Sequence, residues 1–174
     1  MIVKRAAFAA ASLLLASTAP LADAVAQSTA ASVARASERG TADFTSGEEV
    51  LAQVAGMLAE MAPGQGFMWR PLVSDGARVA AIEIWKKPGR PAVHPTEAEY
   101  AVVLEGAGTL VSGGTLIAPV ASREGLIEGE QIEGGTTRTL GPGDVLLIPA
   151  GVPHWFGITG DHLVLLGTKM PVNR

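Results

Sequence analysis

Gly141-Pro-Gly-Asp-Val-Leu-Leu-Ile-Pro-Ala-Gly-Val-Pro-His-Trp-Phe156 reads as turn, strand, turn, strand. Pro142 presets φ and Gly143 accepts φ > 0, so the pair suits the two central positions of a type II turn. Asp144 to Ile148 is a short apolar run, the length of a buried strand and too short for a helix. Pro149 and Gly151 suit positions i+1 and i+3 of a type I turn. Pro153 keeps Val152 extended and delivers His154 at the head of the next strand, beside Trp155 and Phe156. A histidine is thus held by two tight turns next to two aromatic side chains.

The same grammar of short strands and Gly/Pro turns begins at Phe67. Predicted strands are 67–72, 77–85, 100–104, 109–112 and 115–118, then 130–132, 136–140, 144–148, 154–158 and 162–169. Ser74-Asp-Gly76, Ser112-Gly-Gly114, Glu133-Gly-Gly135 and Thr159-Gly-Asp161 punctuate them. This is an all-β domain, and composition leaves an immunoglobulin-like sandwich and a jelly roll both open. Residues 119–129 depart from the strand spacing. Arg123, Glu124 and Glu128 predict an exposed excursion there, either a solvated loop or a lid.

Upstream of the strands, Ser46-Gly-Glu-Glu49 fits a capping box. Val50, Leu51, Val54, Met57, Leu58 and Met61 then form a helical stripe that Pro63-Gly64 stops. The spacing predicts one N-terminal helix within 46–64, packed on the outside of the β domain or serving as a dimerisation arm. Residues 27–45, rich in Ala, Ser and Thr, read as a flexible linker. Residues 1–26 have the pattern of a secretory signal. Lys4 and Arg5 form a positive start, 6–16 an apolar run and Ala24-Val25-Ala26 a small-residue cleavage site. The apolar run is well short of the ~20 residues of a membrane span. The expected product is secreted or periplasmic, without a membrane association after cleavage.

Loss of Lys4, Arg5 and Asp23 moves the formal net charge from −4 to −5. A mildly acidic chain with no basic cluster argues against nucleic acid as a partner. With no cysteine, disulfides and thiolate chemistry are excluded. The chain is long enough to bury a core without metal or disulfide staples, so a metal here would serve chemistry or ligand binding.

Two motifs in this order resemble the cupin superfamily. The second cupin motif appears as Gly143, Pro149, Gly151 and His154, with Ile158 where the family often has Asn. The first appears as His94-Pro-Thr-Glu-Ala-Glu99 followed by Gly106, with Ala92 where the family has another histidine. The resemblance spans roughly residues 67–170 and decides for the jelly roll. It implies a cupin-like β-barrel over 65–174, with His94, Glu99 and His154 pointing into the barrel as metal ligands. Imidazole nitrogen and carboxylate oxygen suit Fe, Mn, Zn, Ni or Co as divalent ions. Glu97 is a competing carboxylate on the same strand face, and Tyr100 and Glu97 are candidate acid/base groups. Trp69, Trp155 and Arg138 are candidates for the wall of a substrate pocket. The implied partner is a small organic molecule, and cupins often pair into homodimers through their sheets. Oxygenase, lyase and isomerase chemistries all occur in the superfamily, as do metal-free binding and structural members, and the fold does not choose among them.

Overall fold

The computed structural model describes residues 42–76 and 78–172. The expected signal, 1–26, and most of the expected linker lie outside the described residues. Asp43 is tied down, because its Oδ2 accepts a hydrogen bond from the Ser74 backbone N–H at 2.8 Å.

The helix forms as its sequence dictates. In α1, Gly47–Glu60, Ser46 is the N-cap and the capping box with Glu49 is complete in both directions. Glu48 and Glu49 place negative charge in the first turn, where the helix dipole favours it. Val54, Met57 and, just past the end, Met61 bury the apolar stripe against Ile82, Ile84 and Val164. This is packing on the outer face of the sheet. The stripe's other prominent member, Leu51, faces solvent.

Eleven strands follow among the described residues: β1 Phe67–Asp75, β2 Arg78–Trp85, β3 Ala92–Val93, β4 Glu97–Ser112, β5 Thr115–Ile117, β6 Val120–Arg123, β7 Leu126–Glu128, β8 Gln131–Glu133, β9 Thr136–Leu140, β10 Val145–Ile148 and β11 His154–Pro171. Nine belong to one antiparallel sheet that runs β1-β2-β11-β3-β7-β6, with β4 also pairing β11, β9 and β10. The other two, β5 and β8, pair with each other. With one helix and this curled sheet, the described chain is an all-β cupin-like barrel.

The ribbon of β4 and β11 shapes it. His154 opens β11 and Lys169 comes fifteen residues later. On a straight strand they would be about 50 Å apart. Both touch the same carboxylate, that of Glu99, so the ribbon folds back on itself. The fold lies where the register is interrupted between Ile158 and Leu163, opposite Gly108 and Gly106. Gly106 has φ +83°, and a Cβ there would collide with the His162 carbonyl. Only glycine meets both demands. The sequence predicts two strands on each side of this bend, whereas the pairing runs through it as one.

Two other expectations change. Residues 119–125 are exposed, as expected, but 119–129 is no loop. The segment forms the hairpin β6–β7, and β7 joins the sheet beside β3. The second turn of the deciding stretch closes one residue later than its Pro pattern suggests. The Val152 N–H donates to the Pro149 carbonyl, which puts Pro149 at position i and Gly151, φ +80°, at i+2. The first turn is as expected, with Asp144 N–H donating to Gly141 and Gly143 at φ +90°. The Asp144 carboxylate also returns to the Gly141 N–H at 2.8 Å.

Strand alternation divides the side chains between two cores. Outward-facing Ile82, Ile84 and Val164 meet the helix. Inward-facing Ala101, Val103, Leu163 and Leu165 meet Leu110, Leu140, Leu146, Ile148 and Phe156 to fill one end of the barrel. Farther along the same inward rows the residues become Glu99 and Glu97 on β4 and Gly167 and Lys169 on β11, and a cavity opens.

Candidate metal centre

His94 follows β3, Glu99 is the third residue of β4 and His154 is the first of β11. Curling of the sheet brings the three together, and all three are buried. One ligand atom from each lies within 4.8 Å of the others. His154 Nε2 is 3.3 Å from Glu99 Oε2, and His94 Nε2 is 3.6 Å from the same oxygen. The two imidazole rings stack with centroids 5.5 Å apart.

Backbone carbonyls orient both rings. His94 Nδ1–H donates to the Gly125 carbonyl at 3.2 Å, and His154 Nδ1–H donates to the Val152 carbonyl at 3.1 Å. A carbonyl can only accept, so Nδ1 carries the proton and Nε2 is turned toward Glu99. This outer contact is the kind that fixes the tautomer of metal-ligating histidines. The turns explain its origin. The Pro149–Val152 turn supplies the Val152 carbonyl, and the tip of the β6–β7 hairpin supplies that of Gly125.

Electrostatics agree with a ligand set. Burial, then the charge of Lys169, lowers the His94 pKa to about 4, so at neutral pH the ring is uncharged and has a lone pair to give. Burial alone raises a carboxylate pKa, but for Glu99 the contact with His154 and the ammonium of Lys169 outweigh it and hold the pKa at about 2. Two aligned imidazole nitrogens and an ionised carboxylate at this separation fit a divalent ion.

The three residues line one side of a cavity of about 850 Å³. Trp69 and Trp155 also line it, and so does Glu97. Trp155 is oriented by its indole N–H, which donates to the Gly89 carbonyl at 2.9 Å. Two candidates are elsewhere. Tyr100 alternates away from Glu99 on β4 and is exposed on the outer face opposite Leu147, so it cannot serve as an acid or base in the cavity. Arg138 is exposed on β9, paired with Leu110. The arginines that do line the cavity are Arg78, Arg90 and Arg123. Ala92 lines it too and lies opposite His154 in the β3–β11 pairing, so a third imidazole is missing from beside the other three groups.

Two site residues escape the sequence reading. Lys169 contacts Glu99 Oε2 directly, from the cross-strand position opposite it. Glu83 lines the same cavity from β2, and its carboxylate accepts from Trp85 Nε1 at 3.2 Å. Burial and then the charge of Glu99 push the Glu83 pKa up. A signal for Glu83 was present, since it is a lone carboxylate inside the apolar run Ala80-Ala-Ile-Glu-Ile-Trp85. Lys169 has none, because strand-end lysines are commonplace on surfaces.

A family model described as cupin matches residues 89–168, from just before the first motif to Thr168 near the end of β11. The chain belongs to the cupin superfamily. The match takes in His94, Glu99 and His154, and the cupin cavity also recruits residues on β1 and β2 that lie before it. No curated protein sequence matches the chain. Among solved structures, KdgF from Halomonas sp. is 18% identical, with 65% of this chain and 87% of that chain covered and a TM-score of 0.44. The protein TT1209 from Thermus thermophilus is also 18% identical, with 67% and 93% covered and a TM-score of 0.47. A predicted oxalate decarboxylase from Thermotoga maritima is 18% identical, with 61% and 81% covered and a TM-score of 0.45. This cupin spans about half the length of an oxalate oxidase that it also matches, 52% of that chain.

Proposed function

We propose that this cupin is a secreted protein that binds a small organic molecule in its barrel beside a divalent metal held by His94, Glu99 and His154. The observation that carries the reading is the convergence of two carbonyl-oriented Nε2 atoms and an ionised carboxylate at the wall of an 850 Å³ cavity. Phe67, Trp69 and Trp85 offer apolar surface to a ligand, and Arg90 and Arg123 offer it cationic groups. When bound, the metal supplies Lewis acidity toward a substrate oxygen, water or dioxygen. Glu97 is the acid/base candidate that remains among the residues lining the cavity. Oxygenase, lyase and isomerase reactions are all compatible with these groups. Export rests on the pattern of residues 1–26. Self-association is supported by Val145 and Leu147, which expose apolar surface beside Tyr100 on the outer face.

A second reading, a metal-free binding protein, is favoured by one observation: Lys169 already provides Glu99 with a cation. Metal content by mass spectrometry of untagged, exported protein separates the two. Near-stoichiometric metal, lost in His154→Ala and Glu99→Gln, is the expected result. Absence of metal in the parent after incubation with Fe(II), Mn(II), Ni(II) or Zn(II) would sink the metal reading.

A further inference from the structure

The candidate metal centre contains a cation of its own. Glu99 Oε2 is the oxygen that faces both imidazoles, and it is the same oxygen that the Lys169 ammonium contacts. The arrangement is built into the register. Lys169 stands directly across from Glu99 in the β4–β11 pairing, so the register makes the two side chains neighbours. The Lys169 side chain is about one-third exposed while Glu99 is almost wholly buried, so the lysine reaches inward from the mouth over its carboxylate. A second carboxylate is available to it. Glu83 lines the same cavity and feels the Lys169 charge. Gly167, two residues before Lys169 on the inward row, leaves open the space next to Glu83: a Cβ on Gly167 would stand 3.7 Å from Glu83 Oε1.

We propose that Lys169 is a tethered competitor for the metal position, so that a divalent ion gains Glu99 only when the lysine leaves it for Glu83. The inference rests on the reading that His94, Glu99 and His154 form a metal site. An ammonium and a divalent ion on one carboxylate oxygen repel each other, so each weakens the other's hold on it. A lysine is suited to the exchange, because a compact charge on a flexible four-carbon stem can turn from one carboxylate to another without moving the strand. The lysine-held form keeps Glu99 paired, so the buried carboxylate has a partner in either state. Lys169 then sets how readily the site loads and which of its two forms dominates at a given metal concentration.

The test is metal affinity itself, measured by competition with a chromophoric chelator for Ni(II), Zn(II) and Co(II) separately. Lys169→Gln removes the charge and keeps an N–H donor for Glu99, and Lys169→Arg keeps a charge. Circular dichroism and a cooperative melt establish that each variant is folded. Lys169→Gln is expected to bind on the order of tenfold tighter than the parent or better, and the gain should vanish when His154→Ala is added. Lys169→Arg should stay near the parent. Glu83→Gln, which takes away the lysine's second carboxylate, should bind more weakly than the parent. Equal or weaker binding by folded Lys169→Gln, with the parent binding metal, overturns the competition and leaves the metal site standing. Failure of both the parent and Lys169→Gln to bind any of the three ions overturns both. Binding by Lys169→Gln alone supports the competition and makes the lysine-held form the resting one.

Discussion

The two ends of the barrel are built from the same strands and differ in what their inward rows carry. At the closed end, Ala101 and Val103 on β4 face Leu163 and Leu165 on β11, all essentially inaccessible to water. At the open end those inward rows continue to Glu99 on β4 and, past Gly167, to Lys169 on β11, with His154 and His94 folded against them. A hydrophobic row needs only volume and shape, and its neighbours supply both. A row of ionisable groups needs each charge answered by another. Here it is: among the described residues, no buried side-chain nitrogen or oxygen lacks a partner. The closed end therefore holds the fold, and the open end is free to hold chemistry at a smaller cost to stability.

That division can be broken most sharply by truncation. Leu165→Ala should lose about 2–5 kcal/mol in urea or thermal unfolding, because Leu165 is fully buried and the cavity it leaves has no water-accessible side. Its folded fraction should still bind metal with the parent's affinity. His154→Ala should do the reverse, abolishing metal binding with a far smaller loss of stability. If Leu165→Ala weakens the metal site as much as His154→Ala does, the two ends are one cooperative unit and the distinction fails.

Acid tests the open end alone. Glu99 is depressed to about 2 from its ordinary 4.5, so its contribution is present above pH 4.5 and is lost as pH falls toward 2. The shift corresponds to roughly 3 kcal/mol if fully realised. His94 is depressed from 6.5 to about 4, so the stability that depends on its neutral ring is present above pH 6.5 and is lost as pH falls toward 4. Both act in the same direction. Chelator-treated protein should melt progressively lower from pH 6.5 down to 2, and Glu99→Gln should flatten the part below pH 4.5. A parent curve flat across that range would show that the charges at the mouth are not coupled to folding.

The smallest effect sharpens the contrast from the other side. Glu83 has its pKa raised, so its neutral form suits the fold, and ionising it costs stability as pH rises above 4.5. Glu83→Gln should therefore stabilise the protein at pH 7 and have no effect at pH 3. A loss of stability at pH 7 would mean that the charged carboxylate is structurally required, most directly by Lys169.

Much of this was legible in residues alone, for reasons that are local. Ser46 and Glu49 specify a helix start because a capping box closes within four residues. Pro142-Gly143 specifies a turn because one ring and one missing Cβ decide two φ angles. His94, Glu99 and His154 stood out because two motifs carried them at family spacing. The misreadings are also instructive. Tyr100 and Arg138 were misplaced because which face of a strand turns inward is decided by its partners, and the sequence has no partners in it. Residues 119–129 read as a loop because β6 is exposed at every position and shows no alternation, although pairing between β7 and β3 makes the segment a wall of the cavity.

By itself, then, the sequence determined the helix, most of the strands, the first turn of the deciding stretch and the identity of three candidate ligands, since each is written in a short run of residues. The tertiary structure decided the rest. Folding of the β4–β11 ribbon at Gly106 and Gly108 is what lays Lys169 on the carboxylate that His154 also faces. No spacing in the chain encodes that meeting, because it is set by the curl of a sheet whose strands come from both ends of the domain.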